Sequence, residues 1–105
     1  APVEGRCTQY EALLDQYAPA GGWDTLWMSA FMWRESRCDP ARRSRTSDTG
    51  LLQINDINLP YLRNALGEQV DRWTLTDPAQ NVRAAAALCE FWVSAGRSCY
   101  RAWRK

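Results

Sequence analysis

The chain alternates between segments with helical apolar spacing and polar segments that break it. From about Thr8 to Tyr17 the apolar positions are Tyr10, Leu13, Leu14 and Tyr17, which predicts a helix. Pro19 and the Gly21–Gly22 pair end it. Asp24 then offers an N-cap to a second helix running to about Ser36. That segment is apolar nearly all round (Leu26, Trp27, Met28, Ala30, Phe31, Met32, Trp33), so it is expected to run through the middle of the domain.

After Ser36 the pattern changes. Residues 37–50 carry Asp, Pro, Ser, Thr and Gly without a helical period, and Leu51–Ile54 reads as a short strand-like run. A loop or small hairpin is expected there. A short helix follows from about Leu59 to Leu66, with Gly67 as its stop. Asp77-Pro78-Ala79-Gln80 is a helix start: an acidic cap, Pro at the first position and Gln three residues past the cap. The helix it opens sets Val82, Ala85, Ala86, Cys89 and Val93 on one face. Its small residues suit close packing against the second helix. Gly96 ends it, and Tyr100 to Trp103 supply aromatics near the end of the chain. Without repeats, low-complexity tracts or linkers, residues 1–105 read as a single α+β domain, predominantly α, with a central helix and a small β-hairpin region.

Composition adds limits. With 46% hydrophobic and 24% charged residues the balance is that of a globular chain, and no apolar run approaches the roughly 20 residues of a membrane span. No charged and apolar leader precedes Ala1, so the chain reads as a mature or trimmed product. The net charge of +1 gives nucleic acid no special attraction. Arginine outnumbers lysine twelve to one, which fits coding bias better than contact with anionic polymers. The Arg42, Arg43, Arg45 cluster reads as a solvated loop.

Four cysteines, Cys7, Cys38, Cys89 and Cys99, occur without histidine and without a C-x-x-C pair, so zinc is a poor fit. Two disulfides fit better and imply an oxidising, extracytoplasmic setting. Of the three connectivities, Cys7–Cys38 with Cys89–Cys99 is favoured. The second bridge closes a short loop behind the last helix, and the first ties the N-terminal segment to the core.

Glu35 falls in the last turn of the second helix, with Met28, Phe31 and Met32 on the same side. Apolar surroundings and the negative end of a helix dipole both disfavour a charged carboxylate. A glutamate kept protonated in this way is suited to general-acid chemistry. The plainer alternative is a surface Glu paired with Arg34 or Arg37.

The residues around Glu35 favour the first reading. Glu35-Ser36-Arg37-Cys38-Asp39-Pro40, then Ser47-Asp48-Thr49-Gly50-Leu51-Leu52-Gln53-Ile54-Asn55, resembles the signature of lysozyme-like peptidoglycan hydrolases and soluble lytic transglycosylases. Asp77-Pro78 through Asn81-Val82 resembles the next block of that superfamily, and together the blocks cover about half the chain in the expected order. The resemblance implies a lysozyme-like fold and no cofactor or metal. It also implies that Glu35 donates a proton to the glycosidic oxygen between N-acetylmuramic acid and N-acetylglucosamine. By the same resemblance Ser36 supports the Glu, while Gln53 and Asn55 face the saccharide cleft. Asp48 resembles the second catalytic Asp of animal-type lysozymes; its plain alternative is a turn residue. In that two-carboxylate chemistry one carboxyl protonates the leaving oxygen while the other, across the bond, serves as nucleophile or base.

One stretch departs from the transglycosylase pattern. Where an Ala-Tyr-Asn-Ala-Gly block is expected, the chain has Trp92-Val93-Ser94-Ala95-Gly96, without the Tyr-Asn. That favours a hydrolase, a muramidase, over a lytic transglycosylase; a silent wall-binding module is the reading from another class. Sugar faces stack on aromatic rings, so Trp92, Trp103 and Tyr100 are candidate cleft residues, with Trp103 foremost, while Trp27 and Trp33 read as core. The expected partner is peptidoglycan, bound by a secreted or wall-associated monomer.

Overall fold

A computed structural model describes residues 5–103; Ala1, where the chain was read as trimmed, lies outside them. A 3-10 turn, Thr8–Tyr10, leads into helix α1 (Glu11–Gln16), and helix α2 spans Thr25–Ser36. Strands β1 (Asp48–Thr49) and β2 (Ile54–Asn55) form the small sheet, helix α3 is Leu59–Leu66 and helix α4 is Pro78–Ser94. Short 3-10 turns at Asp56–Asn58, Thr74–Thr76 and Arg101–Trp103 complete the order. The class is α+β and predominantly α, as expected.

The sequence signals at helix ends act as anticipated. Asp24 accepts the Trp27 amide, Asp77 accepts the Gln80 amide, and Gly67 closes α3 in the left-handed region at φ 66°. Both favoured disulfides are present, Cys7–Cys38 and Cys89–Cys99.

The helix at the centre is not the expected one. In α2 only Met28, Ser29, Met32 and Ser36 are buried, and Leu26 and Trp27 stand exposed. In α4, by contrast, Gln80, Asn81, Val82 and every residue from Ala84 to Cys89 are buried. A chain of this size has room to enclose one helix. The four alanines Ala84–Ala87 make α4 the slender one, so α1, α3 and β2 can approach it closely while α2 packs on α1. Val93, expected to face inward, is exposed because α4 runs on past its neighbours.

The hairpin also differs from expectation. β1 and β2 pair antiparallel as Asp48 with Asn55 and Thr49 with Ile54, so Gly50 to Gln53 form the reversal and only Ile54 of the strand-like run is strand. Gly50 at φ 82° and Gln53 at φ 49° turn the chain. Leu51 and Leu52 plug the core at 0% exposure instead of alternating between faces.

One buried amide fixes this turn against α4. Asn81 Oδ1 accepts the Leu52 amide at 2.9 Å, and its Nδ2 donates to the carbonyls of Thr49 at 3.0 Å and Leu75 at 2.9 Å. The approach is close enough that a Cβ on Gly50 would lie 2.2 Å from Asn81 Nδ2 and 2.6 Å from the Leu75 carbonyl oxygen. Only glycine meets both the positive φ and the contact. Replacing Asn81 by Ala removes three hydrogen bonds to buried backbone groups, each loss costing roughly 1–3 kcal/mol. Asn81→Ala is therefore expected to lower unfolding free energy by roughly 3 kcal/mol or more; a urea midpoint equal to that of the native chain would contradict this.

Candidate active site

Glu35 sits where α2 stops. Its side chain is 8% exposed, and its Oε1 lies 3.9 Å from Arg34 Nη2. Met28 and Met32, on the same side of the helix, are fully buried, so the carboxyl group emerges from an apolar face. Ser36 is buried too, and its hydroxyl donates to the Met32 carbonyl at 3.1 Å. It therefore supports the helix end that carries Glu35 and does not reach solvent.

The helix ends abruptly and without glycine. Arg37 and Cys38 are both left-handed, at φ 54° and 64°. Non-glycine residues held there cost of order 1–3 kcal/mol each and persist only where the surroundings enforce them. The restraints are plain: the Arg37 amide donates to the Trp33 carbonyl at 2.9 Å, the Asp39 amide to the Ser36 carbonyl at 3.1 Å, and Cys38 is bonded to Cys7. Arg37 also lies over the Trp33 ring, 4.8 Å from its centroid. The first disulfide thus anchors the turn immediately after Glu35.

The hairpin gathers Asp48, Asn55 and Gln53. Asp48 Oδ2 accepts from Ser44 Oγ at 2.7 Å and Thr46 Oγ1 at 2.6 Å, and its Oδ1 accepts from Asn55 Nδ2 at 2.9 Å. Hydroxyl and amide donors thus reach both carboxylate oxygens and fix the side chain in place. Asn55 Nδ2 also donates to the Thr46 carbonyl, and Asn55 Oδ1 accepts the Ile57 amide at 3.0 Å. Gln53 Nε2 donates to the carbonyls of Arg42 at 3.1 Å and Gly50 at 3.0 Å, closing the turn on the preceding loop. Gln53 and Asn55 are therefore first of all the braces of the Asp48 hairpin.

Trp103, expected to touch ligand, lies in the core at 2% exposure, so its ring faces no sugar. The Cys89–Cys99 bridge turns the chain back after α4 and brings Trp103 beneath the hairpin. There its indole Nε1 donates to the Leu52 carbonyl at 2.9 Å, and its own carbonyl accepts from Arg34. One residue thus joins the neighbour of Glu35 to the turn that follows Asp48. Trp92 remains partly exposed, with the Arg101 guanidinium 5.6 Å from its ring centroid. Tyr100 packs against Trp27 and Phe31, and its hydroxyl accepts the Asp24 amide at 2.8 Å.

Beside the hairpin, Arg43 donates two hydrogen bonds to Asp56, at 2.9 and 2.8 Å, and a third to Thr49 Oγ1 at 2.6 Å. Among the described residues no group of three His, Cys, Asp or Glu side chains is placed to hold a metal ion, and no helix is long and apolar enough to cross a membrane.

Two roles escaped the sequence reading. Asn81 and Trp103 act as anchors, and the signal for Asn81 was a lone amide on an otherwise Ala/Val helix face. Tyr61 and Phe91 stand part-exposed on α3 and α4, and neither belongs to the apolar periodicity that marked the core.

The structure thus sets a shielded glutamate at a left-handed helix end and a braced carboxylate on a hairpin fixed by an Asn–Gly contact. Residues 13–102 match the family model of the transglycosylase SLT domain, and the chain belongs to that family, a lysozyme-like one whose members cleave peptidoglycan. No curated protein and no solved structure gave a significant match.

The Arg43–Asp56 pair carries a pH signature. The hydrogen bonds from Arg43 hold the Asp56 carboxyl below the ordinary carboxylate range. A lowered folded-state value stabilises the protein above the unfolded value of about 4 and is lost as pH falls through the lowered one. Asp56→Asn is thus expected to reduce Tm near neutral pH, with the gap to the native chain closing as acid protonates Asp56. A gap that widens in acid would reverse the sign expected of the pair.

Proposed function

We propose that the protein is a muramidase, hydrolysing the β-1,4 bond between N-acetylmuramic acid and N-acetylglucosamine, with Glu35 as general acid. The observation that carries this reading is the shielding of Glu35, with a side chain 8% exposed at the end of α2. Set on the apolar face of Met28 and Met32 and shielded from bulk water, the carboxyl group is placed to deliver a proton to a leaving oxygen.

The second carboxylate in this reading is Asp48. As the glycosidic oxygen leaves with the proton of Glu35, an Asp48 oxygen bonds to the anomeric carbon and forms a glycosyl-enzyme ester. Water then attacks that carbon while Glu35, now a carboxylate, takes its proton, and Asp48 departs with the electron pair. Configuration at the anomeric carbon is retained. Support comes from the three donors that orient Asp48 and from the Trp103 clamp between its hairpin and Arg34. Ser36, Gln53 and Asn55 act here as positioning residues, and Trp92 borders the saccharide path. Secretion follows in this reading from the two disulfides, which require an oxidising compartment.

The second reading is a lytic transglycosylase, favoured by the family to which the chain belongs. In that chemistry the substrate's N-acetyl group replaces Asp48 and the product ends in 1,6-anhydromuramic acid, lighter than the hydrolysis product by one water. Mass spectrometry of digested peptidoglycan separates the two.

Glu35→Gln is expected to lower turnover by on the order of 10²–10⁴-fold while leaving glycan binding nearly intact; normal turnover would remove Glu35 from the mechanism. For Asp48→Asn a loss on the order of 10²-fold or more is expected of a nucleophile. A near-native rate together with anhydro products would establish the transglycosylase instead.

A further inference from the structure

A pocket that the proposed mechanism does not use lies behind the hairpin. Its volume is about 230 Å³, and it is lined by Ala41, Arg43, Thr49, Arg72, Trp73 and Thr76. Asp48 and Asn55 are cross-strand partners whose side chains meet at 2.9 Å, whereas the next residue, Thr49, receives Arg43 on its hydroxyl at 2.6 Å. Side chains of successive strand residues point to opposite faces. The pocket and Asp48 therefore lie on opposite faces of the hairpin, and a ligand held here stays clear of a sugar at Asp48.

The pocket carries more positive charge than its own carboxylate neutralises. Arg43 gives two hydrogen bonds to Asp56 and one to Thr49, and the charge of Arg72 acts on the same Asp56 carboxyl. Asp48 also acts on Arg43 through its charge, so the surplus falls on Arg72. The Arg72 guanidinium lies over the Trp73 ring, 4.2 Å from its centroid, and no described residue accepts a hydrogen bond from it. Its neighbour Asp71 is committed elsewhere: Oδ1 accepts the amides of Trp73 and Thr74 at 2.9 and 2.8 Å, and Oδ2 accepts from Gln69 at 2.7 Å. Trp73 is 68% exposed, so ring and guanidinium stand at the pocket as an oriented pair. Arg42 and Arg45, on the loop that carries Arg43, are exposed as well.

The chemistry that fits is an oxyanion able to serve two guanidiniums at once. A carboxylate is satisfied by one guanidinium fork, as Asp56 is by Arg43. A phosphodiester offers a non-bridging oxygen to each of two guanidiniums, and its flanking carbons can lie on the Trp73 ring. We infer that this pocket binds the phosphodiester of a polyol-phosphate polymer attached to the cell wall, holding the enzyme on walls that carry one. The family cleaves peptidoglycan, so such a polymer is met on the substrate itself. Repeating phosphates also engage the exposed arginines of the loop, and each phosphate neutralised releases counterions. The inference holds for hydrolysis and transglycosylation alike.

The test titrates the full chain with a glycerol phosphate oligomer at low ionic strength and follows binding by calorimetry. Inorganic phosphate, an uncharged polyol of the same length and an oligodeoxynucleotide of the same charge serve as comparisons. The oligomer is expected to bind and the polyol not to, with Arg72→Gln weakening the oligomer by about tenfold. Arg72→Lys keeps the charge without the fork and should restore only part of that loss. Arg72→Gln should cleave polymer-free peptidoglycan at the native rate and polymer-bearing wall more slowly. Arg43→Gln, a second position, should also weaken the oligomer, and near-UV circular dichroism identifies the folded variants. Absence of oligomer binding, or native affinity in folded Arg72→Gln, overturns the inference. So does equal slowing on both walls, which would place Arg72 at the glycan. Inorganic phosphate binding as tightly as the oligomer would make this a free-phosphate pocket, and the oligodeoxynucleotide doing so would make it a general polyanion surface; either result overturns the proposal. Calorimetry does not depend on turnover, so failure of the muramidase reading and failure of the pocket appear in different data.

Discussion

The backbone N–H and C=O of one residue, Leu52, carry the geometry of the candidate site. Its N–H is taken by Asn81 Oδ1 and its C=O by the indole of Trp103, at 2.9 Å each, and the residue is fully buried. A buried peptide group has no water to fall back on, so it must be paired or bear its full desolvation cost. The two partners come from distant parts of the chain, one from the first turns of α4 and one from the tail after the second disulfide. Satisfying Leu52 therefore draws three segments together. Gly50 is the condition for that approach, because any side chain there would strike Asn81 and the Leu75 carbonyl.

From this point the site can be followed outward in both directions. On one side the turn is closed by Gln53, and Asn55 returns to hold Asp48 and the Ile57 amide. On the other side Trp103 passes its carbonyl to Arg34, next to Glu35. Glu35 is meanwhile held from behind by the left-handed pair Arg37–Cys38 and the Cys7–Cys38 bridge. Rigid support on both carboxylates fits catalysis in which reacting groups must be held in place before the substrate arrives. In so small a domain such rigidity is supplied partly by covalent cross-links.

The aromatic residues divide between these tasks. Trp103 serves as an internal donor, and its ring also fills space that the narrow alanine helix leaves open. Trp27, Phe31 and Tyr100 form a part-exposed cluster on α2, and Tyr61, Phe91 and Trp92 form another across α3 and α4. An Arg-rich surface contributes as well: Arg34, Arg37 and Arg101 each lie over a ring within about 6 Å of its centroid. The dominance of arginine over lysine thus has a use in ring packing, whatever its origin.

The helices and their ends were legible in the amino-acid order because they depend on neighbours three or four residues apart. Asp24, Asp77, Pro78 and Gly67 each act on their own turn, so their effect does not wait for the rest of the fold. The disulfide pairs could be read from which elements they closed, and Glu35 and the Asp48 hairpin from the order of their motifs. What the order of residues did not contain was competition for the interior. α2 carries the bulkier apolar side chains, but α4 occupies the centre because its alanines leave room for neighbours. Leu51–Leu52 looked like strand, but the Asn81 anchor made it a buried turn. Trp103 looked like a sugar platform, but the Leu52 carbonyl drew it inside. Each of these outcomes rests on contacts between residues far apart in the chain, where volume and unpaired backbone groups decide, and only the tertiary structure brings those contacts into existence.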